Sequence, residues 1–407
     1  MHILSVAWRN LTRNRRRAAL ALLTVSFGVI AMVLADGFVQ WIFWAMRESA
    51  IQSRLGHVQI AEKGYFRDGL ADQWAYLLPE HPDRIASLEG VPGVKLVTPR
   101  LLFSGLVSHG ETSVSFLGEG VVPAKETELN KHLHVVKGHD LDSAVARQVL
   151  LGRGLARNLD VVPGDSVVLM ANTASGGINA VELTVAGLFI TASEAFDQSA
   201  LRIPMDIASE LVRAKGAHVW VVLLESTELT DALLPVIRAR FNTRGEEFDV
   251  VPWTELADFY NKTVQLFSRQ MDVVRLVIGL IIVFSISNML VMGVLERTAE
   301  IGTLMALGYR KKRILQLFVT ESLLLGCAGG ALGVLLGVGL ALVVSWVGIP
   351  MPPPPGMEIG FTAEIRLTWE LVLKGFVVAI VTTALAGLYP AWKASRLEVV
   401  NALRHSR

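Results

Sequence analysis

The chain has 407 residues, of which 52% are hydrophobic and 18% are charged, and its mean hydropathy is +0.46. This composition is too apolar for an ordinary soluble protein and indicates insertion into a membrane. The single cysteine, Cys327, excludes an intrachain disulfide and a cysteine-based metal cluster. The net charge is +1, and nucleic-acid binding is a poor fit.

The chain begins with a basic segment, residues 1–19, followed by an apolar run over residues 20–46. As a helix this run would be about 40 Å long at 1.5 Å per residue, which exceeds a bilayer core of about 30 Å. We therefore predict a first transmembrane helix whose surplus forms a stalk. A cleavable signal peptide is the alternative, but its apolar region would be much shorter, so an uncleaved anchor is favoured.

Residues 47–253 are predicted to form a large α+β domain. Between residues 47 and 270 the chain carries 21 Lys/Arg against 28 Asp/Glu, a net charge of −7. Short stretches of β-forming residues between glycines and prolines predict strands, whereas "HPDRIASLEGV" and "PMDIASELVRA" are typical of short helices. A strand followed by an amphipathic helix after Ala217 indicates that a first subdomain resumes there, after an insertion over about residues 118–216.

The rest of the chain alternates between apolar spans and basic connections. In order, we predict a second stalk and transmembrane helix (254–295), an amphipathic helix with a basic turn (296–314), a third transmembrane helix (315–347), a proline-rich loop (348–370), a fourth transmembrane helix (371–392) and a tail (393–407). The segments 1–19, 296–314 and 393–407 together hold 14 Lys/Arg against three Glu, so the positive-inside bias places them in the cytoplasm. The α+β domain and the proline-rich loop then face outward.

The most specific stretch runs from Glu296 to Gly339 and opens with the short amphipathic helix. Two interpretations of this helix remain open on physical grounds. In the first, Ile301, Leu304 and Met305 sit in the groove of a partner while Glu296, Arg297 and Glu300 orient the helix. In the second, the segment is only an interfacial connection that anchors to lipid headgroups.

The stretch "ERTAEIGTLMALG" resembles the E-R-x-x-E-I-G-x-L-x-A-L-G signature of the FtsX-like permease superfamily, the membrane subunits of ABC transporters in the MacB and LolCDE group. The tail "YPAWKASRLEVVNALR" resembles the terminal motif of that group, although Val400 stands where proline is usual. The segment "VLLGRGLARNLDVVPGDSVVLM" resembles the inserted subdomain of such permeases. The layout is closest to the LolC and LolE lipoprotein-releasing permeases. The resemblance implies four transmembrane helices with a periplasmic domain, made of porter-like and inserted subdomains, between the first two.

The resemblance also implies partners: an ABC ATPase subunit and a second permease, either a copy or a paralogue, with movement transmitted through the membrane, which is called mechanotransmission. The residues expected to couple to the ATPase are Glu296, Arg297, Glu300, Ile301, Gly302, Leu304, Met305 and Gly308. Since no G-x-x-x-x-G-K-[ST] run occurs in the sequence, we expect ATP to bind to a separate chain and this subunit to be non-catalytic and without a cofactor.

Two further sets of residues lie within the spans. Glycines four residues apart in the third span predict close helix packing, and these are Gly326, Gly329, Gly330, Gly333 and Gly337. Glu321 in the same span is costly in lipid and should face the bundle. The set Asp36, Phe38, Val39, Gln40 and Trp41 is expected either to line a substrate cavity or to serve helix packing and an interfacial aromatic belt.

The predicted function is release or export of lipoproteins or lipids from the bacterial inner membrane, with both termini cytoplasmic and residues 47–270 periplasmic. One alternative is a MacB-like efflux permease with a periplasmic adaptor, and another is a signalling permease that activates an outer hydrolase or a sensor kinase. A periplasmic chaperone or adaptor and membrane lipids are the other expected partners, and nucleic acid is not expected. The histidines His132, His134 and His139 lack companion ligands, so we predict no metal site.

Overall fold

A computed structural model of the chain describes residues 3–69, 72–79, 82–129, 133–143, 145, 147–191, 194–241, 247–351 and 361–396. The predicted proline-rich run at 352–355 and the tail beyond residue 396 therefore lie outside the described residues. The chain divides into two compact units. The helical unit comprises Met1–Phe43, Thr263–Met351 and Thr362–Arg407, and the α/β unit comprises Trp44–Lys262 and Pro352–Phe361.

Four helices have 27 residues or more, and the other described helices have 12 or fewer. In chain order they are α1 (Ile3–Arg13), α2 (Arg15–Ala50), α3 (Tyr65–Asp68), α4 (Pro82–Glu89), α5 (Pro123–Leu129), α6 (Arg153–Leu159), α7 (Glu194–Asp197), α8 (Met205–Val212), α9 (Thr230–Phe241), α10 (Trp253–Leu256), α11 (Asp258–Glu296), α12 (Thr298–Ala306), α13 (Lys311–Val347) and α14 (Trp369–Ser395). A π-helical turn, Ile51–Leu55, continues α2.

Four helices are long and apolar enough to cross a membrane: α2 with its π-helical turn, α11, α13 and α14. They contain the four predicted spans, so the predicted fold class is confirmed in this respect. The helix α11 is continuous from Asp258, so the predicted second stalk and second span form a single helix. The packing of these helices uses small and branched residues, which are Ala21, Val25, Val29, Val33, Ile282, Ile286, Leu290, Leu325, Leu371, Ala379 and Ala386.

The strands lie mainly in the α/β unit. In chain order they are β1 (Val58–Glu62), β2 (Val94–His109), β3 (Thr112–Val121), β4 (His134–Gly138), β5 (Gln148–Gly152), β6 (Ser166–Asn172), β7 (Ile178–Ile190), β8 (Ala200–Pro204), β9 (Val219–Leu224), β10 (Phe248–Pro252), β11 (Ile349–Met351) and β12 (Phe361–Ala363). The first ten form one sheet in the order β10-β1-β9-β2-β3-β8-β5-β7-β4, and β6 pairs with both β2 and β7.

This pairing closes part of the sheet into a ring. Strand β2 pairs with β3, β3 with β8, β8 with β5, β5 with β7, β7 with β6, and β6 returns to β2. A six-stranded barrel results, and its closure removes the exposed sheet edges that an open sheet would carry. Strand β4 extends the ring by pairing with β7.

The α/β unit has two apolar cores that share one strand. The first half of β2, including Val97, packs with β1, β9, α4 and α9, whereas its second half, from Leu101 onward, packs inside the barrel. The core inside the barrel ends at Ala214, and the core around β1 and β9 resumes at Ala217. The insertion therefore begins near residue 100, inside β2, rather than near residue 118. A 16-residue strand is long enough to belong to both cores.

Candidate functional site

The short helix α12 connects two membrane-length helices. The chain leaves α11 at Glu296, turns through Arg297 and enters α12 at Thr298. It leaves at Leu307 and passes through Gly308, whose φ of 91° lies in the left-handed region that favours glycine. Lys311 then begins α13. A glycine at this position lets the chain reverse within a few residues.

One face of α12 packs inside the chain. Ile301 is 4% exposed and belongs to an apolar cluster with Val294, Ile314 and Phe318. Met305 packs against the same cluster, and Gly302 is buried. The pattern of α12 predicted that Ile301 and Met305 enter the groove of a partner, but both pack toward the chain's own helices. The α12 backbone includes Leu304, whose side chain is outside the described set.

The opposite face of α12 is open. Glu300, Thr303 and Leu307 are exposed and follow the three- and four-residue spacing of one helical stripe. Leu307, directly after the last residue of α12, is 75% exposed. The surface that α12 offers to a partner is therefore this stripe, together with the turn at Gly308.

The two glutamates of the signature are already bound within the chain. Arg13 donates to both carboxylate oxygens of Glu300, at 2.7 and 2.8 Å. Arg17 makes the corresponding pair of hydrogen bonds to Glu296. From the sequence, Arg13 and Arg17 count only as two of the positive charges in the basic segment 1–19, which predicts membrane orientation. One signal in the sequence could have indicated these pairs. Residues 1–19 contain arginines but no acid, and Glu296 and Glu300 are two acids at a spacing that matches Arg13 and Arg17.

Glu321 lies at a second contact point with the N-terminal segment. Its carboxylate accepts a hydrogen bond from the Asn10 side-chain amide at 2.6 Å and lies 3.6 Å from an Arg297 guanidinium nitrogen. Arg297 also donates to the Asn10 carbonyl oxygen at 3.1 Å. Glu321 is 4% exposed and faces the bundle, as expected from its cost in lipid.

The glycines of α13 face two different helices. A Cβ atom at Gly329, Gly333 or Gly337 would meet Val25, Val29 or Val33 of α2, in that order. A Cβ at Gly326 or Gly330 would meet Thr383 or Ala379 of α14, respectively. The absent side chains let α13 approach α2 on one side and α14 on the other.

Asp36, in α2, is held by α11. Both of its carboxylate oxygens accept hydrogen bonds from Arg275, at 3.0 and 2.9 Å. Val39 and Trp41 are buried, Phe38 is half-buried and Gln40 is exposed. The ion pair supports the helix-packing interpretation of this set, and the substrate cavity remains a prediction.

A buried ionic cluster lies in the α/β unit, where the sequence analysis had singled out no residue. Arg100 of β2 and Arg202 of β8 both contact the carboxylates of Glu119 and Glu126. Burial alone would raise the pKa of Glu119, but the charges of Arg100, Arg202 and Arg54 outweigh it and lower the pKa to about 2.

The same two arginines bind the π-helical turn that ends α2. Arg100 donates to the Arg54 carbonyl oxygen, and Arg202 donates to the Ser53 carbonyl oxygen, each at 2.8 Å. Helix ends leave their last carbonyls without helical partners. A guanidinium group from each of two strands therefore fixes the end of this helix within the α/β unit.

Metal coordination finds no support in the described residues, where no three His, Cys, Asp or Glu side chains lie close enough together to hold an ion. His134 lies at the start of β4, and His139 follows its last residue. His132 is not among the described residues.

Two family profiles match the chain. The MacB-like periplasmic core domain matches residues 18–240, and the FtsX-like permease C-terminal segment matches residues 273–399. The second match contains α12 and most of α11, with α13 and α14. The first contains most of α2 and all strands from β1 to β9.

Two related proteins and one solved structure show what the chain is similar to. The macrolide export ATP-binding/permease protein MacB of Brucella abortus is 27% identical over 404 residues, which cover 96% of this chain and 58% of that protein. The lipoprotein-releasing system transmembrane protein LolC of Xylella fastidiosa is 26% identical over 317 residues, covering 73% and 75%. The crystal structure of the periplasmic region of MacB from Actinobacillus actinomycetemcomitans is 15% identical with a TM-score of 0.36, covering 52% of this chain and 93% of that one.

Proposed function

This chain belongs to the family defined by the MacB-like periplasmic core domain, joined here to an FtsX-like permease C-terminal segment, and on that premise we propose that it is the permease subunit of an ABC transporter. A separate ATPase subunit binds and hydrolyses ATP, and the permease transmits the resulting movement along its membrane helices. A second permease, a copy or a paralogue, completes the assembly. The assembly works in a bacterial inner membrane, with both termini and α12 in the cytoplasm and residues 47–270 in the periplasm.

The observation that carries this proposal is the open stripe of α12. Leu307 exposes an apolar side chain at the end of a short helix that connects two membrane-length helices. A soluble partner with an apolar groove would bury such a side chain, and an amphipathic helix seated in a groove is a common mode of recognition. A displacement of α12 by the partner would reach α11 and α13 directly, because only a few residues separate them.

The test is a charged substitution on this stripe. Leu307→Asp places a carboxylate where the partner's apolar groove would close, so we expect at least tenfold less ATPase to copurify, since charged groups are costly to bury without a partner. Leu117→Asp is the matched control, because Leu117 is a similarly exposed leucine on β3. Equal recovery of ATPase with Leu307→Asp and with the native chain would contradict the proposal.

The substrate that we propose is a lipoprotein or a lipid taken from the membrane. The support is the similarity to a LolC protein over three quarters of each chain. A photo-reactive residue at the exposed Gln40 should capture a lipidated protein, whereas one at Phe27, exposed on the same helix, should capture bulk lipid only. Absence of any lipidated protein from the Gln40 product would eliminate this substrate.

A second candidate is efflux of small molecules with a periplasmic adaptor. The similarity to a macrolide export protein over 96% of this chain favours it. The two candidates differ in phenotype: loss of the chain would retain lipoproteins in the inner membrane in the first case, and would raise susceptibility to toxic small molecules in the second. Comparing both phenotypes in one deletion strain separates the candidates.

A further inference from the structure

Every carboxylate in residues 273–357 contacts the N-terminal segment. This stretch contains three acids, Glu296, Glu300 and Glu321, and they lie on α11, α12 and α13. Their partners are Arg17, Arg13 and Asn10. A segment of eight residues, 10–17, therefore contacts three consecutive helices through all three acids of this stretch.

The spacing on the two sides is matched. Arg13 and Arg17 are four residues apart, as are Glu300 and Glu296, and the arginine nearer the N-terminus binds the glutamate nearer the C-terminus. Both pairs therefore form together in one antiparallel register, and a one-residue shift of residues 296–300 against the N-terminal segment would break both. Arg17 contacts Glu296 through two guanidinium nitrogens, and such a two-pronged contact also fixes orientation.

The third contact joins the same segment to α13 and to the turn between α11 and α12. Asn10 reaches Glu321 through its side chain and Arg297 through its carbonyl oxygen. Arg297 is the residue at which α11 ends and α12 begins. Its guanidinium therefore joins the turn that aims α12, the N-terminal segment and the buried carboxylate of α13.

We propose that residues 10–17 form a latch that positions α12 and transmits its displacement to α2. This inference rests on the proposed function, because it assumes that a motor protein moves α12. Arg13, Arg17 and Asn10 are then positioning residues: they act through α12 and do not themselves contact ATP. Arg13 binds Glu300 of α12 and is separated from the start of α2 by Asn14 alone, so this contact links α12 to the first membrane helix without passing through α11 or α13. Arg17 of α2 adds a contact with Glu296 at the end of α11.

The neighbouring arginines provide a matched control. Arg15 and Arg16 are exposed and have no ion-pair partner among the residues that the structure describes. A purely orienting role of the basic segment would make all four arginines equivalent, because the positive-inside bias counts charges and not contacts. The latch instead requires Arg13 and Arg17 in particular, because only these two arginines of the four bind Glu300 and Glu296.

The experiment compares two charge reversals in the complete permease and ATPase complex. The pair Arg13→Glu with Arg17→Glu should lower ATP turnover per bound ATPase at least about fivefold, because each attraction becomes a repulsion. The pair Arg15→Glu with Arg16→Glu makes the same change in net charge and should leave turnover unchanged. Adding Glu300→Arg and Glu296→Arg to the first pair should restore turnover to within about twofold, as expected for directly coupled residues.

The outcomes separate the latch from the proposed function. Equal losses from both reversals, or no restoration by the exchanged charges, would overturn the latch while the copurified ATPase upheld the proposed function. Absence of a copurified ATPase from the native chain would overturn the proposed function instead. In that case a cysteine pair at positions 13 and 300, in a Cys327→Ser background, still decides whether the contact exists. The pair is treated with a bismaleimide as long as an arginine–glutamate contact, because a direct disulfide is too short to span it. Failure to cross-link the two positions in native membranes refutes the contact.

Discussion

Gly333 shows how one side chain sets the distance between two helices. A Cβ at this position would lie 2.7 Å from Val29 Cβ and 2.9 Å from the Ser26 backbone. Both neighbours belong to α2, and the Ser26 backbone has no freedom to rotate away. The contact between α13 and α2 therefore tolerates no atom at this point.

We predict that Gly333→Ile destabilises the chain by about 1 to 3 kcal/mol, the usual cost of overpacking a well-packed contact. Gly339→Ile is the matched control, because a Cβ there has no neighbour within 4 Å. The thermal midpoint of both variants in detergent checks this. A decrease of equal size in both would show that the loss arises from the isoleucine itself and not from the contact with α2.

Glu119 gives the α/β unit a defined response to acid. Its pKa in the folded chain, about 2, lies below its ordinary value of 4.5. A carboxyl group with a lowered pKa stabilises the fold fully above its unfolded pKa, and the contribution is lost as the pH falls through the folded pKa. The loss should therefore occur between about pH 4.5 and pH 2.

We predict that Glu119→Gln costs about 3 kcal/mol at pH 7, because it leaves buried guanidinium groups without one of their counter-charges. The difference from the native chain should shrink as the pH falls toward 2, where Glu119 itself becomes neutral. Thermal midpoints at pH 7 and pH 3 measure this, with the exposed Glu111→Gln as the control. A difference that is independent of pH would contradict the assigned electrostatic role.

At the scale of elements, α12 depends on the turn that ends it. Gly308 has a φ of 91°, and a Cβ there would meet no atom within 4 Å, so its constraint is conformational and not steric. The turn determines how α12 is directed relative to the start of α13. Any residue that prefers a negative φ would redirect one helix against the other.

Gly308→Ala should therefore lower ATP-dependent activity, with a conformational cost of about 1 kcal/mol. Gly293→Ala, inside α11 and also without neighbours within 4 Å, is the control and should leave activity unchanged, because alanine favours a helix. Turnover by the complete complex measures both variants. Equal activity of Gly308→Ala and the native chain would show that the turn does not constrain coupling.

The elements differ in how far the sequence could predict them. The membrane-length helices follow from composition, because a bilayer requires about 20 apolar residues in succession. The barrel closure could not be predicted, since β2 and β6 are distant in sequence and pair only when the ring closes. The direction of Ile301 was missed because an apolar stripe has the same period whether its groove belongs to a partner or to the same chain.

The candidate site shows the same limit. The signature identified α12, but the partners of its glutamates lie 287 and 279 residues earlier in the chain. Charge pairing across such a distance depends on the arrangement of the helices, which no local pattern contains. Arg13 and Arg15 have the same chemistry and similar neighbours in the sequence, and only the structure distinguishes them.

At the scale of the whole molecule, the proposed function requires the α/β unit and α12 to lie on opposite sides of the membrane. The basic segments predict which side is cytoplasmic, because they hold 14 Lys/Arg against three Glu. Residues 47–270, which contain most of the α/β unit, have the opposite balance, with a net charge of −7. Both signals predict the same orientation.

Single cysteines in a Cys327→Ser background test this orientation. Ile178 on β7 and Thr303 on α12 are both exposed, so a cysteine at either position is accessible to a maleimide once the reagent reaches that side. A membrane-impermeant maleimide should label position 178 in intact spheroplasts and position 303 only after permeabilisation. Labelling of position 303 in intact spheroplasts would place α12 outside the cell, where no ATP is available to a motor, and the coupling mechanism would then be impossible.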